Sequence, residues 1–431
     1  MLSKSAPLSD WLAWLETLSP VEIDLGLERV RKVKEQLDLV MPEHLLLVAG
    51  TNGKGSSVLM CDAILRAGGA TVGAYTSPHI CKYNERIVVN GEPVDDACIT
   101  AAFATVDAAR GDVRLTYFEF GTLAAAVIFA DAGVAVWILE IGLGGRLDAC
   151  NVFEPTASLI TNVSLDHCDW LGDNVEAIAR EKAGVMRAGR STVFGALQVP
   201  AAIRDNAGSA GADLLCAGVD FSFDVADDNR WSWRSGVAHY GALALPGLPG
   251  RFQVANAAAV LMLLHVAGLA DAIDSSLLNR VLPGLDLAGR MQTRYSLGRH
   301  WLFDVAHNPA AATELAANLA DSATSASTAG IVGLLVDKDA EGVLEPLLAF
   351  VDRWVAITAA SNRAMPAAEL GRQLANLGQQ PVLIANSVPD AVEFARRQTS
   401  ESDRILVTGS FFTVAPVIEC LDAAGESQDD G

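Results

Sequence analysis

The chain has 431 residues, 51% hydrophobic and 19% charged, with a formal net charge of −21. That composition supplies core for two or three domains and excludes global disorder, while the acidity argues against nucleic acid, whose binding needs basic surface. No apolar run approaches the roughly 20 residues that span a bilayer, and no basic-then-apolar leader opens the chain, so no membrane partner and a cytoplasmic location are expected.

Taken in order, "LLLVAG" (45–50) reads as a buried strand, followed by a helix over about 56–67, a strand in "TVGAYT" and a helix in "FGTLAAAVIFADAG". "VAVWILE" (134–140) and "ASLITN" (157–162) are further buried strands, and a helix over about 174–186 leads to another in "STVFG". Short apolar strands separated by helices predict a parallel sheet covered on both faces. From 197 to about 248 the pattern weakens into alternations such as "RWSWRSGVAHY", a small antiparallel insertion, before "VANAAAVLMLLHVAG" returns as a helix. Pro and Gly in "VLPGLDLAGR" (281–290) mark a connector. A second, smaller α/β series follows in "HWLFDVA", "GIVGLLV", "RWVAIT", "PVLIAN" and "RILVTG", and the tail "AAGESQDDG" reads as frayed. The boundary is placed near Leu287, giving domains 1–287 and 288–431. Seven scattered cysteines without a Cys-x-x-Cys pair read as reduced thiols, not as a disulfide framework or zinc site.

The first strand-to-helix junction reads Gly50-Thr51-Asn52-Gly53-Lys54-Gly55-Ser56. It departs from the common phosphate loop G-x-x-x-x-G-K-[ST]: Val48 holds the first glycine's place, and Gly55 separates Lys54 from Ser56. The ingredients survive the changed spacing. Helix-start N–H groups favour an anion, glycines let the main chain approach phosphates, Lys54 adds charge, and Ser56 or Ser57 adds a hydroxyl. A lone glycine cluster is usually only a turn; a lysine among the glycines at this junction points to phosphate binding.

Other polar groups follow strand ends. Glu140 closes an apolar strand, a good place for a magnesium ligand beside a phosphate loop. "GLGGRLDACN" then brings Arg146 and Asp148, and His167 in "TNVSLDHCDWLG" and Ser77 in "TSPHI" follow two more strands. His79 alone reads as structural, and Lys182 in "IAREKAGVM" reads as one charge of a solvated run. Asp304 and His307 end the second domain's first strand in "LFDVAHNP", and Asn256 and Arg290 flank the connector. Asp304 could hold a ribose hydroxyl and Arg290 a phosphate.

Together "VAGTNGKGS", "TSPHI", "LTYFEFGTLAA", "LEIGLGGRLDACN", "SLDHCDWLG", "REKAGV" and "FDVAHNP" resemble the folylpolyglutamate synthase family of the Mur ligase superfamily, over nearly the full chain. The resemblance implies an ATPase domain with a modified phosphate loop and a smaller Rossmann-like domain. It implies that Thr51, Asn52, Gly53, Lys54, Gly55 and Ser56 hold the phosphates. Ser77, Glu140, His167 and Lys182 match magnesium ligands, with Lys54, Lys182 and His167 serving catalysis. Lys182 matches a carbamylated lysine, formed when a neutral amine reacts with carbon dioxide, which reverses its bland reading. Asn256, Arg290, Asp304 and His307 match nucleotide contacts. Thr17, Leu18, Ser19, Pro20, Thr116, Tyr117, Phe118, Glu119, Leu147, Asp148 and Ala149 match pterin-side segments. The connector's common "PGR" is Ala288-Gly289-Arg290 here, and Val305 stands where "DGAHN" has glycine, which predicts less backbone freedom.

The implied reaction is ATP-dependent ligation of L-glutamate to dihydropteroate and to tetrahydrofolate and its derivatives through an acyl phosphate. It would use ATP, Mg2+ (two ions), carbamylated Lys182 and potassium, in a monomer. Lys82, Arg86 and Arg146 are the cations expected to meet the anionic product. A folylpolyglutamate synthase alone, a peptidoglycan-type amino-acid ligase, and an ATP-hydrolysing switch remain as alternatives.

Overall fold

The computed structural model describes residues 6–19, 24–227, 229–322, 327–379 and 381–429, with side chains to 424. By internal contacts the chain divides into two units. One is Met1–Ser164, Cys168–Gly247 and Gln253–Leu285; the other is Leu165–His167, Leu248–Phe252 and Asp286–Gly431.

The first unit is built on an eight-stranded sheet: β1 His44–Ala49, β2 Val72–Tyr75, β3 Ile87–Val89, β4 Glu92–Pro93, β5 Val136–Glu140, β6 Ala157–Ile160, β7 Ser191–Phe194 and β8 Asp213–Cys216. The order is β4-β3-β2-β5-β1-β6-β7-β8. β2, β5, β1, β6, β7 and β8 run parallel, while β3 and β4 pair antiparallel at one edge. β1, β2, β5 and β6 are almost wholly buried because helices cover both faces, which is why they read as unbroken apolar runs. The chain leaves β1 toward β2 and leaves β6 toward β7, so the order reverses between β1 and β6. A crevice at the carboxyl ends of the strands is the usual ligand position there. The register aligns those ends: Val48 pairs with Glu140, Tyr75 with Leu139 and Ala49 with Ile160.

The region expected as an antiparallel insertion from 197 is smaller than that. The helix Ala201–Ala210 and β8 extend the main sheet, and only β9 Phe221–Val225, β10 Arg230–Ser235 and β11 His239–Ala244 form a separate antiparallel sheet. Alternating burial in β10 fits one packed face, with Trp231 and Trp233 buried and Trp233 Nε1 donating to Ala258 O at 3.0 Å. That bond ties the small sheet to the long helix Arg251–Val266.

The second unit carries β12 Gln292–Ser296, β13 Arg299–Phe303, β14 Thr328–Val332, β15 Arg353–Ala356, β16 Val382–Ile384 and β17 Arg404–Thr408 in the order β12-β13-β17-β14-β15-β16. All pairs are parallel except β12 with β13, an edge strand absent from the sequence reading. The tail expected to fray continues as helix Phe411–Asp429. Among the described residues no helix is long and apolar enough to cross a membrane.

Candidate active site

Residues 50–56 join β1 to the helix Lys54–Ala67. Gly50 has φ +143°, and a Cβ there would stand 1.8 Å from Thr161 Oγ1, so the loop can leave β1 beside β6 only without a side chain. Gly53 caps the helix in the left-handed region at φ +83°. No side chain caps this end and no acid lies in its first turn, which leaves the dipole's positive end for an anionic ligand. The segment after β6 fixes the loop. Asn162 O and Oδ1 accept the N–H groups of Thr51 (3.1 Å) and Asn52 (3.0 Å), and Thr161 Oγ1 donates to Asn52 O at 2.6 Å. Thr51 Oγ1 donates to Ser164 O and accepts from Ser164 N.

Two lysines converge on one carbonyl. Lys54 Nζ, at the first helical position, reaches back to Gly50 O and Thr51 O, each at 3.2 Å. Lys182, the last residue of helix Val175–Lys182, is 4% exposed and donates to Gly50 O at 2.9 Å. The solvated-run reading of Lys182 is therefore wrong.

At the tip of β5, Glu140 is buried, and its Oε2 accepts the backbone N–H of Ser77 at 3.2 Å, from the loop after neighbouring β2. A Cβ on Gly55 would lie 3.7 Å from the same oxygen, so carboxylate, Ser77 and phosphate loop adjoin. His167, expected beside them, belongs by its contacts to the second unit; it is half-buried at φ +51°. Asn256 lies on the phosphate loop, its amide 2.8 Å from where a Gly53 Cβ would be.

The pterin-side residues are mostly structural in what they touch. Thr116 and Glu119 close a reciprocal cap on helix Tyr117–Asp131, with Thr116 N to Glu119 Oε2 at 2.7 Å and Glu119 N to Thr116 Oγ1 at 3.2 Å. Glu119 also pairs with Arg29 at 2.9 Å. The Phe118 ring occupies the space a Gly142 side chain would fill, and Tyr117 stands edge-on to Tyr83. Asp148 is buried and accepts the N–H groups of Leu143 and Cys150, both at 2.9 Å; burial pushes its carboxyl up to about 6 against those bonds. Leu147 is half-buried beside it and Ala149 buried. Thr17 and Leu18 end helix Leu8–Leu18, where Thr17 Oγ1 donates to Trp14 O, and Ser19 follows as its C-cap. Pro20 lies outside the described residues.

Of the three cations expected to meet product, Arg86 and Arg146 are engaged through their side chains and Lys82 through its backbone N–H. Arg86 is 9% exposed, donates Nε to His79 Nδ1 at 2.8 Å and lies over the Tyr83 and Tyr117 rings. His79 is pulled down to about 4, by burial first and then by the Arg86 charge, so it accepts as a neutral ring. Arg146 pairs with Glu181 at 2.9 Å, and Lys82 N–H donates to Glu85 Oε1 at 2.7 Å.

In the second unit Asp304 Oδ2 accepts Met291 N at 3.0 Å and Oδ1 accepts Ala306 N at 2.9 Å. Burial pushes this carboxyl up, against the charge of Arg290. Arg290 lies over the Phe411 ring at 5.4 Å, and His307 Nδ1 donates to Val305 O at 2.8 Å. Val305 is buried and has no positive φ, so its β-branched side chain fits where glycine was expected. A network absent from the sequence reading centres on Asp166. It accepts from Lys338 Nζ at 2.5 Å and Asn308 Nδ2 at 2.9 Å, with His307 Nε2 at 3.4 Å. Burial opposes ionisation of Asp166, but the His307 bond and the charges of His307, His167 and Lys338 hold it far below the carboxylate range. Gln253 was also overlooked, although its place three residues before Asn256 puts both on one helical face.

Residues 48–264 match the model for the Mur ligase middle domain, and residues 289–411 that for the Mur ligase glutamate ligase domain. The dihydrofolate synthase/folylpolyglutamate synthase of Escherichia coli K12 is 39% identical over 423 residues, covering 97% of this chain and 96% of the relative. The structure of E. coli FolC in complex with DHPP and ADP superposes with a TM-score of 0.92 at 37% identity, covering 98% of this chain and 100% of that one. A bifunctional folylpolyglutamate synthase/dihydrofolate synthase with Mn, AMPPNP and L-glutamate bound gives 0.89 at 39% identity, covering 98% and 99%. Full-length identity at this level, with both ligase domains in order, shows that the chain belongs to the dihydrofolate synthase/folylpolyglutamate synthase family of Mur ligases.

Proposed function

We propose that this chain is an ATP-dependent, amide-forming ligase that joins L-glutamate to dihydropteroate, giving dihydrofolate, and to folates, giving folylpolyglutamates. One observation carries the reading: Lys54 and Lys182 meet on the Gly50 carbonyl at an uncapped helix start, with the Glu140 carboxylate adjoining. Relatives holding ADP with DHPP, and AMPPNP with Mn and L-glutamate, supply the matching ligand classes.

The substrate carboxylate attacks the γ-phosphorus of ATP, ADP leaves, and an acyl phosphate forms. The glutamate amine then attacks the acyl carbon, loses a proton, and expels phosphate. The chain's work is positioning and charge neutralisation. Residues 51–56 cradle the phosphates through backbone N–H groups, and Lys54 swings its ammonium from the loop carbonyls to the transferred group. Arg290 contacts phosphate, Asp304 a ribose hydroxyl, and Asn256 and His307 complete the nucleotide contacts. Thr17 to Pro20, Thr116 to Glu119 and Leu147 to Ala149 shape the pterin side, and domain roles divide at 287.

Hard oxygen donors suit Mg2+, so the buried Glu140 carboxylate beside Ser77 fits such an ion. Ser77, Glu140, His167 and a carbamate on Lys182 would hold two magnesium ions, which neutralise phosphate charge when bound. Potassium dependence, a monomeric state and a cytoplasmic location belong to the same reading. The test follows ADP release with dihydropteroate or tetrahydrofolate, each with and without glutamate, and weighs the products. Glutamate-dependent release with a one-residue mass gain is expected; ATP turnover indifferent to every amino acid overturns the ligase reading.

A further inference from the structure

The helix Arg251–Val266 meets the phosphate loop with buried polar groups. Gln253, Asn256 and Ser56 are 1%, 6% and 2% exposed. Asn256 Nδ2 donates to Gln253 Oε1 at 3.0 Å, and Gln253 Nε2 donates to Ser56 Oγ at 3.2 Å. The chain of bonds has one direction. With its oxygen turned to Asn256, Gln253 can show Ser56 only its amide hydrogens. A hydroxyl that accepts from Gln253 must aim its own proton elsewhere. Asn256 is held in turn by lying on the bare Cα of Gly53. The neighbouring hydroxyl is used differently: Ser57 Oγ donates back to Gly53 O at 2.8 Å, one helical turn earlier.

We infer that Gln253 is a positioning residue for the ligase reaction, holding Ser56 Oγ as an acceptor so that its proton is presented to an anionic oxygen of the nucleotide. This rests on the assignment of residues 50–56 to the phosphates.

Two substitutions separate orientation from packing. Gln253→Glu keeps the shape and still accepts from Asn256, but its second oxygen accepts too and takes the Ser56 proton. Gln253→Met keeps the volume and leaves the hydroxyl free to turn. ADP dissociation constants are measured calorimetrically with Mg2+ in wild type, in both variants, and in each with and without Ser56→Ala. In wild type Ser56→Ala weakens ADP about tenfold or more, the size of a hydrogen bond to a charged group. In the Gln253→Glu background the same change costs less than about twofold, because the proton is already committed. In the Gln253→Met background it costs about threefold less than in wild type, and this pair decides the matter if Gln253→Glu fails to fold. An equal Ser56→Ala effect in all three backgrounds overturns the inference and leaves Gln253 a packing residue. Wild type that binds no ADP would instead overturn the phosphate-loop assignment.

Discussion

Gly50→Ala is the most severe single test of the loop. A methyl group there must adopt φ near +143°, a region L-residues avoid at a cost of about 1–3 kcal/mol. It must also displace Thr161, whose Oγ1 would be 1.8 Å away, Cβ 3.0 Å and backbone N 3.1 Å. Forcing a tight core contact costs about 1–3 kcal/mol. Rotating Thr161 aside gives up its 2.6 Å bond to Asn52 O, about 1 kcal/mol more. The total of about 3–7 kcal/mol is a large share of the stability of a typical domain. Thr161→Ala removes the nearest clashing atom and leaves the φ penalty. In urea titrations Gly50→Ala should therefore cost about 1–3 kcal/mol less in a Thr161→Ala background than in wild type. Equal cost in both backgrounds would refute the close-approach argument. ADP binding should fall in both backgrounds, because the carbonyl that receives Lys54 and Lys182 moves with Gly50.

Lys54→Ala should cut turnover by at least about a hundredfold with little change in melting temperature, since Lys54 Nζ bonds to two loop carbonyls and the lost charge belongs to the transition state; near-normal glutamate-dependent ADP release would count against its role. Lys182→Ala should lower both turnover and stability, because it empties a buried position bonded to Gly50 O. A variant with wild-type turnover would remove Lys182 from the mechanism. His79, held neutral down to about pH 4, binds a proton in the unfolded chain near 6.5, so its contribution makes stability fall as pH drops from 6.5 to 4. His79→Gln, which can still accept from Arg86, should flatten that slope in acid unfolding scans. Asp148 acts oppositely: with its carboxyl raised to about 6, its contribution is complete below 3.8 and lost as pH rises through 6. Asp148→Asn should remove that fall, and an unchanged profile would show that its burial does not set the shift.

What the residues disclosed depended on whether chemistry was local. The phosphate loop was legible because strand, glycines and lysine are contiguous. Glu140 was legible because a carboxylate ending an apolar strand is conspicuous. Lys182 was not: in "IAREKAGVM" it has the neighbours of a solvated charge, and only the fold carries it 132 residues back to Gly50. Arg86 failed in the reverse sense, since a cation in a polar stretch gave no sign of the rings that bury it. β3 and β4, three and two residues long, are too short for alternation to register. β8 was folded into the wrong sheet because its partner β7 precedes a helix that resembled loop.

The departure from the common phosphate loop has a physical sense. Gly53 in the left-handed region starts the helix at Lys54, so the lysine occupies the first turn and its stem curls back over carbonyls three and four residues earlier. In the common pattern the next position carries a hydroxyl. Here Gly55 fills it, and a Cβ would sit 3.7 Å from Glu140 Oε2. Alanine would just touch the carboxylate; anything larger would enter the space between it and the loop. The hydroxyl is moved one step on, to Ser56, where the helix turn carries it toward Gln253. The inserted glycine thus does two things at once. It keeps the face between carboxylate and loop open, and it rotates the serine to the one side where a buried amide can aim it.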